Sequence, residues 1–267
     1  MNKFYIQFVL FLLTISLFVN NKVLATEPTP RKATKRQLKK YCPTPEQIFL
    51  KNKNLLCTNP EETREAIKLM NEAARHLEYH ATIKNDYKYM GAYPDYNLNF
   101  YEKEHKDHIK VGKFQYIVRD TNKYNETIDE FWDPDCINFL DYKNTKRKIV
   151  RVCNPNLVMI QQRYKTWCLD REKYFYALAA KFNVSENKTI IAMTSANIND
   201  HNPSKKKYKN TIIESANLFK TDIDSDDDIK NGKLEKAFVN VAGYLIEKKN
   251  GETYITYVES IDEHGHF

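Results

Sequence analysis

"AFVNVAGYLIEKKNGETYITYVESIDEHGHF", residues 237–267, decides the fold. Asn250-Gly251 is the pair that a tight two-residue hairpin selects, because both central residues of a type I′ turn need positive φ. The flanking runs are rich in strand formers. Folding the chain there places Tyr244 opposite Tyr257 and Ile246 opposite Ile255 on one face, with Glu259 and Ala242 beyond them. Val241, Leu245, Thr256 and Val258 fall on the other face, since side chains alternate along a strand. A hairpin that is apolar on both sides has to be covered on both sides.

The rest of the chain supplies the cover. Asn59-Pro60-Glu61-Glu62 starts a helix, with a capping amide, a proline in the first turn and acids near the dipole's positive end. Its periodicity places Ile67, Met70, Ala73, Ala74 and Leu77 on a shared face. A second helix is expected from about 122 to 133, where Tyr124, Ile128, Phe131 and Trp132 recur at helical spacing and Asp133-Pro134 stops the run. "HIKVGKFQYIV", "RKIVRVC", "NLVMIQQRY", "KYFYALAAKFNV" and "KTIIAMTSANI" read as strands, whereas "NTIIESANLFKTDI" fits strand or helix. The order predicts an α+β fold with helices on one face of a curved antiparallel sheet.

The N-terminal end reads as an address. Lys3 precedes the apolar stretch Phe4 to Val19, and Val23-Leu24-Ala25 offers a cleavage site, so residues 1–25 are expected to be a secretory signal peptide. Residues 26–58 follow as a basic linker with a short helix, and 59–267 form the folded domain. Secretion allows disulfides, and among five cysteines the expected bridge is Cys42 to Cys57, across "PTPEQIFLKNKNLL".

Most other chemistry is disfavoured. The net charge of +7 is spread among 42 basic and 35 acidic residues, with no finger spacing or aromatic nucleic-acid motif. Six glycines leave no phosphate-binding loop, so no cofactor is expected. His76 and His80 stand one turn apart but lack the rest of a metal motif. "TDIDSDDDIKNGK" fails as a calcium loop, because Asp227 replaces the turn glycine and Lys233 the bidentate acid; it reads as a solvated acidic loop. No catalytic residues and no metal ligands are assigned.

The collinear series "TNPEETREAIKLMNEAARHLEYHA", "YNETIDEFWDPD", "KRKIVRVCNPNLVMIQQRYKTW", "REKYFYALAAKF" and "AFVNVAGYLIEKK" resembles the Plasmodium fam-a proteins, which carry a START-like lipid-binding domain. The resemblance implies a helix-grip fold, a curved antiparallel sheet around a helix with an apolar tunnel. It implies binding and transfer of phospholipid, phosphatidylcholine in particular, transient membrane contact, and export to the parasitophorous vacuole or the host red cell. Lipid-facing positions are then expected at Trp132, Val158, Ile160, Tyr244, Ile246, Ile255, Tyr257 and Glu259, with Trp167 and Leu169 in a gate loop beside the tunnel. In the family the terminal strands lead into a long lid helix. Here only Asp262 to Phe267 follow Ile261, so the lid is expected to be missing. The export pentad is matched at Arg36 and Leu38 but has Lys40 in its last position. The competing expectation is a variable host-contact protein that keeps the scaffold without transfer activity.

Overall fold

The terminal hairpin sits in the middle of the sheet. In the computed structural model, which describes residues 42–94, 97–119, 123–136, 145–166 and 170–262, strands β11 (Phe238–Lys249) and β12 (Glu252–Asp262) are joined at Asn250 and Gly251, with φ of 51° and 79°. Tyr244 pairs with Tyr257 and Ile246 with Ile255. On its outer flanks β12 pairs with β3 (Lys110–Val118), and β11 with β7 (Lys188–Thr194).

The meander β4 (Lys146–Asn154), β5 (Leu157–Tyr164), β6 (Lys173–Ser185) and β7 continues to one edge. Strands β2 (Leu98–Glu104) and β1 (Lys88–Tyr93) complete the other. The order is β1-β2-β3-β12-β11-β7-β6-β5-β4, antiparallel throughout. Strands covered on both faces read as near-continuous apolar runs, and here core residues lie on both sides of the hairpin, which accounts for its composition.

Each face has its own cover. Helix α1 (Pro45–Lys51) precedes the longer α2 (Pro60–Thr82), whose first N–H groups at Glu61 and Glu62 donate to the Asn59 side chain. Ala66, Met70, Ala73, Leu77 and Ala81 form the buried stripe of α2, packed on β7 and β11, and small side chains let the helix lie close to the strands. Ile67 departs from expectation at 43% exposed; at about 100° per residue it lies about 60° around from Met70, outside the stripe. The opposite face is covered by Ile48 of α1 and by Tyr124, Ile128 and Trp132 of α3 (Tyr124–Trp132). Helices therefore lie on both faces, correcting the expectation of one, because the central strands present apolar rows on each side.

The α2 face is extended by residues 195–236. Ile198, Ile212, Ile213, Phe219 and Ile229 join its core, and two three-residue strands, β8 (Asn197–Asn199) and β9 (Lys220–Asp222), pair in parallel. The undecided "NTIIESANLFKTDI" becomes a 3-10 turn, Glu214–Asn217, followed by β9. Buried Asn210 fixes it by accepting from the N–H groups of Ile212 and Ile213 and donating to the Asn240 carbonyl. The acidic run is also more than a solvated loop. It forms α4 (Asp227–Lys230), and Arg163 donates to Asp226 and Asp228, at 2.6 Å each, while Lys148 reaches Asp226 at 2.7 Å. The remaining strand, β10 (Glu235–Lys236), pairs with β6.

Candidate functional site

The face under α3 is apolar along most of its length. Ile149 of β4, Val158 and Ile160 of β5, Ala179 of β6, Ile191 and Met193 of β7 and Tyr244 of β11 form a wall, roofed by Phe131, Trp132, Asp133 and Pro134 and closed at one end by Ile48. The space between wall and roof is about 40 Å³, room for water but far below the roughly 300 Å³ or more of a ligand pocket. It is narrow because Phe131 reaches down onto the sheet. Its ring stacks on Tyr244 at 4.2 Å between centroids. A file of rings continues from there: Tyr244 to Tyr257 at 4.9 Å, Tyr257 to Phe114 at 5.9 Å and Phe114 to Phe100 at 4.6 Å.

Few polar groups enter this surface. Arg147 lines the cavity beside Tyr244, with Nε donating to Gln162 Oε1 at 2.7 Å. Burial pulls its pKa down, and the two phenols of Tyr244 and Tyr257 pull it back up; a guanidinium stays charged regardless. Glu259 is half-buried and accepts the Tyr257 hydroxyl at 2.9 Å. Burial, foremost, and that carboxylate hold the Tyr257 hydroxyl protonated, well above its ordinary pKa. The Trp132 indole N–H is buried with no acceptor among the described residues. An unmet buried donor costs about 1–3 kcal/mol, so Trp132 is a place where a ligand oxygen would be stabilised.

The expected residues divide into three groups. Trp132, Val158, Ile160 and Tyr244 line one cavity. Ile246, Ile255, Tyr257 and Glu259 lie further along, Ile246 and Ile255 fully buried beside Tyr124, whose hydroxyl is 3.1 Å from Thr189 Oγ1. Trp167 and Leu169, like the expected signal peptide, the basic linker up to residue 41 and residues 263–267, lie outside the described residues.

Arg147, Phe131 and Met193 were not foreseen as wall and roof. Alternation along "KRKIVRVC" puts Arg147 and Ile149 on one side and could have found the first. Met193 needed the register Val158 to Ala179 to Met193 across three strands.

The expected Cys42–Cys57 bridge is corrected. Cys42 Sγ lies 2.9 Å from Cys136 Sγ. Cys57, carried off by α1 and the short 3-10 turn after it, has its thiol against the Asn59 carbonyl and its N–H on Val152 of β4.

No protein-family model matches the sequence, and a search of curated proteins finds no match. Among solved structures, human StAR-related lipid transfer protein 5 superposes with a TM-score of 0.54 at 12% identity, over 77% of this chain and 86% of that one. Human STARD10 gives 0.47 at 12% identity, over 73% and 68%. The mixed α+β architecture with its large antiparallel sheet is thus that of the START domains, a likeness of fold.

Proposed function

We propose that this protein binds a single lipid between α3 and the sheet and carries it between membranes, without catalysing a reaction. The observation that carries the proposal is the buried Trp132 N–H, without an acceptor among the described residues, in a mostly apolar cavity whose charged lining is Arg147 and Asp133. An apolar wall suits acyl chains, each methylene being worth about 0.8 kcal/mol on burial. A cation and a waiting donor suit the phosphate and ester oxygens of a phospholipid, phosphatidylcholine being the expected one. Only about 40 Å³ is open, so on this reading α3 has to lift from Tyr244 for a chain to enter. From the sequence we further infer secretion through the N-terminal leader and kinship with the exported fam-a proteins.

The fullness of that cavity also favours a second reading, a scaffold retained for surface contact that carries no lipid. Transfer of labelled phosphatidylcholine between donor and acceptor vesicles separates the two. Carriage requires a rate that rises in proportion to protein concentration; a rate at the spontaneous level supports the scaffold reading.

A further inference from the structure

Cys42 and Cys136 are separated by 94 residues, yet their thiols meet where the segment entering α1 crosses the turn that follows α3. The turn is fixed by bonds back to the carbonyl and the side chain of Asp133. Cys136 N–H donates to the Asp133 carbonyl at 3.1 Å, and Asp135 N–H to Asp133 Oδ1 at 3.0 Å. Lys51 at the end of α1 reaches Asp135 Oδ2 at 2.8 Å and ties the same two segments at a second point. Cys136 is buried and Cys42 half-buried, so a reagent in solution meets Cys42 first.

The Asp133 carboxylate completes the cluster, all three ligand atoms lying within 4.8 Å of one another. A metal does not fit the sulfur spacing: two thiolates on tetrahedral zinc, at about 2.3 Å each, stand about 3.8 Å apart, well beyond 2.9 Å.

We propose that Cys42 and Cys136 are a dithiol that closes to a disulfide and fastens α3, with Phe131 and Trp132, into the face of the sheet. The oxidant is a low-molecular-weight disulfide such as oxidised glutathione. The Cys42 thiolate attacks one of its sulfurs, forming a mixed disulfide and releasing one glutathione thiolate. The Cys136 thiol gives its proton to the released glutathione thiolate, and the resulting Cys136 thiolate attacks Cys42 Sγ, expelling the second glutathione. Two protein thiols are oxidised, one glutathione disulfide is reduced to two thiols, and the protons pass to the leaving thiolates. Burial, first, then the hydrogen bonds with Cys42 and Asp133, push the Cys136 thiol up in pKa. It is thus the slow resolving partner and Cys42 the entry point. Reduction would release this covalent tie and leave the end of α3 held by packing and by the Lys51–Asp135 ion pair.

The test needs no lipid, so its failure is distinct from failure of the lipid-carrier proposal. Full-length protein is equilibrated in glutathione buffers of graded potential, alkylated and digested without reduction. The expected result is a joined peptide pair containing Cys42 and Cys136, both thiols lost together, and slower hydrogen exchange at the Phe131 and Trp132 amides in the oxidised form. Cys42→Ser is expected to lose all three effects, and Cys57→Ser to keep them. A Cys42–Cys57 pair would overturn the proposal. So would glutathione retained on Cys42 with Cys136 still open to alkylation, cross-linking that leaves α3 exchange unchanged, or zinc alone binding and shielding both thiols.

Discussion

Phe131 and Tyr244 stack with their ring centroids 4.2 Å apart and their planes inclined by 24°, so the last turn of α3 is fastened to the central strand of the sheet by an aromatic pair. Such a pair is worth about 0.5–1.5 kcal/mol beyond the area it buries. Removing it trades stability for space. Phe131→Ala is expected to lower stability by about 2 kcal/mol, less than the 3–5 of a fully buried ring, and to widen the cavity. The denaturant midpoint should fall while phosphatidylcholine uptake per folded molecule rises; unchanged uptake would mean that Phe131 is not what fills the site.

Arg147 stands among Tyr244, Ile149 and Ile160 on the cavity wall. Its proposed task is to hold a phosphate, a charge-assisted contact worth about 1.5–3 kcal/mol. Arg147→Gln is expected to weaken phosphatidylcholine binding by about tenfold or more, and to leave binding of an uncharged diacylglycerol nearly unaltered. Equal losses for both lipids would show that the arginine acts on the shape of the wall instead.

Gly243 separates Ala242 and Tyr244 in β11 at a φ of 141°, and a Cβ there would collide with the Ile191 carbonyl of β7. Backbone cannot move aside as a flexible side chain can. Gly243→Ala is expected to cost about 3 kcal/mol or more, read as a fall in thermal midpoint or loss of soluble protein. A midpoint within a degree or two of wild type would contradict this packing.

His80 lies buried on α2 with Nδ1 2.8 Å from the Tyr87 hydroxyl. Burial above all, then the charges of Lys103, His105, His76 and Lys113, lowers its pKa from 6.5 to about 4. The unfolded chain then binds a proton that the folded one refuses, so stability declines as pH falls from about 6.5 and levels off near 4, by up to about 3 kcal/mol. His76, lowered mainly by burial, acts in the same direction. His80→Gln should flatten urea midpoints measured across this window; a slope matching wild type would assign the loss to other groups.

What could be read from the chain beforehand follows from how far each feature reaches in sequence. The Asn250-Gly251 turn fixes its own register, so the pairing of Tyr244 with Tyr257 and Ile246 with Ile255 was accessible without coordinates. Trp132 and Ile128 followed from helical spacing alone. Strands β1 and β2 escaped notice because β1 is an edge strand with a mostly exposed row and a glycine at its irregularity, and shows no apolar alternation. The roof of the cavity was hidden for another reason: α3 meets Tyr244 only through tertiary packing, and breaks in register at Ile149/Arg151 and Val152/Asn154 interrupt simple alternation in β4. The meeting of Cys42 with Cys136 spans 94 residues, and no local rule relates two such positions.

Photo-cross-linking tests the lipid site most directly. The full-length protein is incubated with vesicles containing phosphatidylcholine that bears a photoreactive group near the end of one acyl chain, irradiated and digested. Lipid tails held under α3 predict labelled peptides from β5, β11 and α3, around Ile160, Tyr244 and Phe131, with labelling displaced by excess unlabelled lipid. Label confined to outer surfaces, or none above a denatured control, would contradict a lipid held between α3 and the sheet.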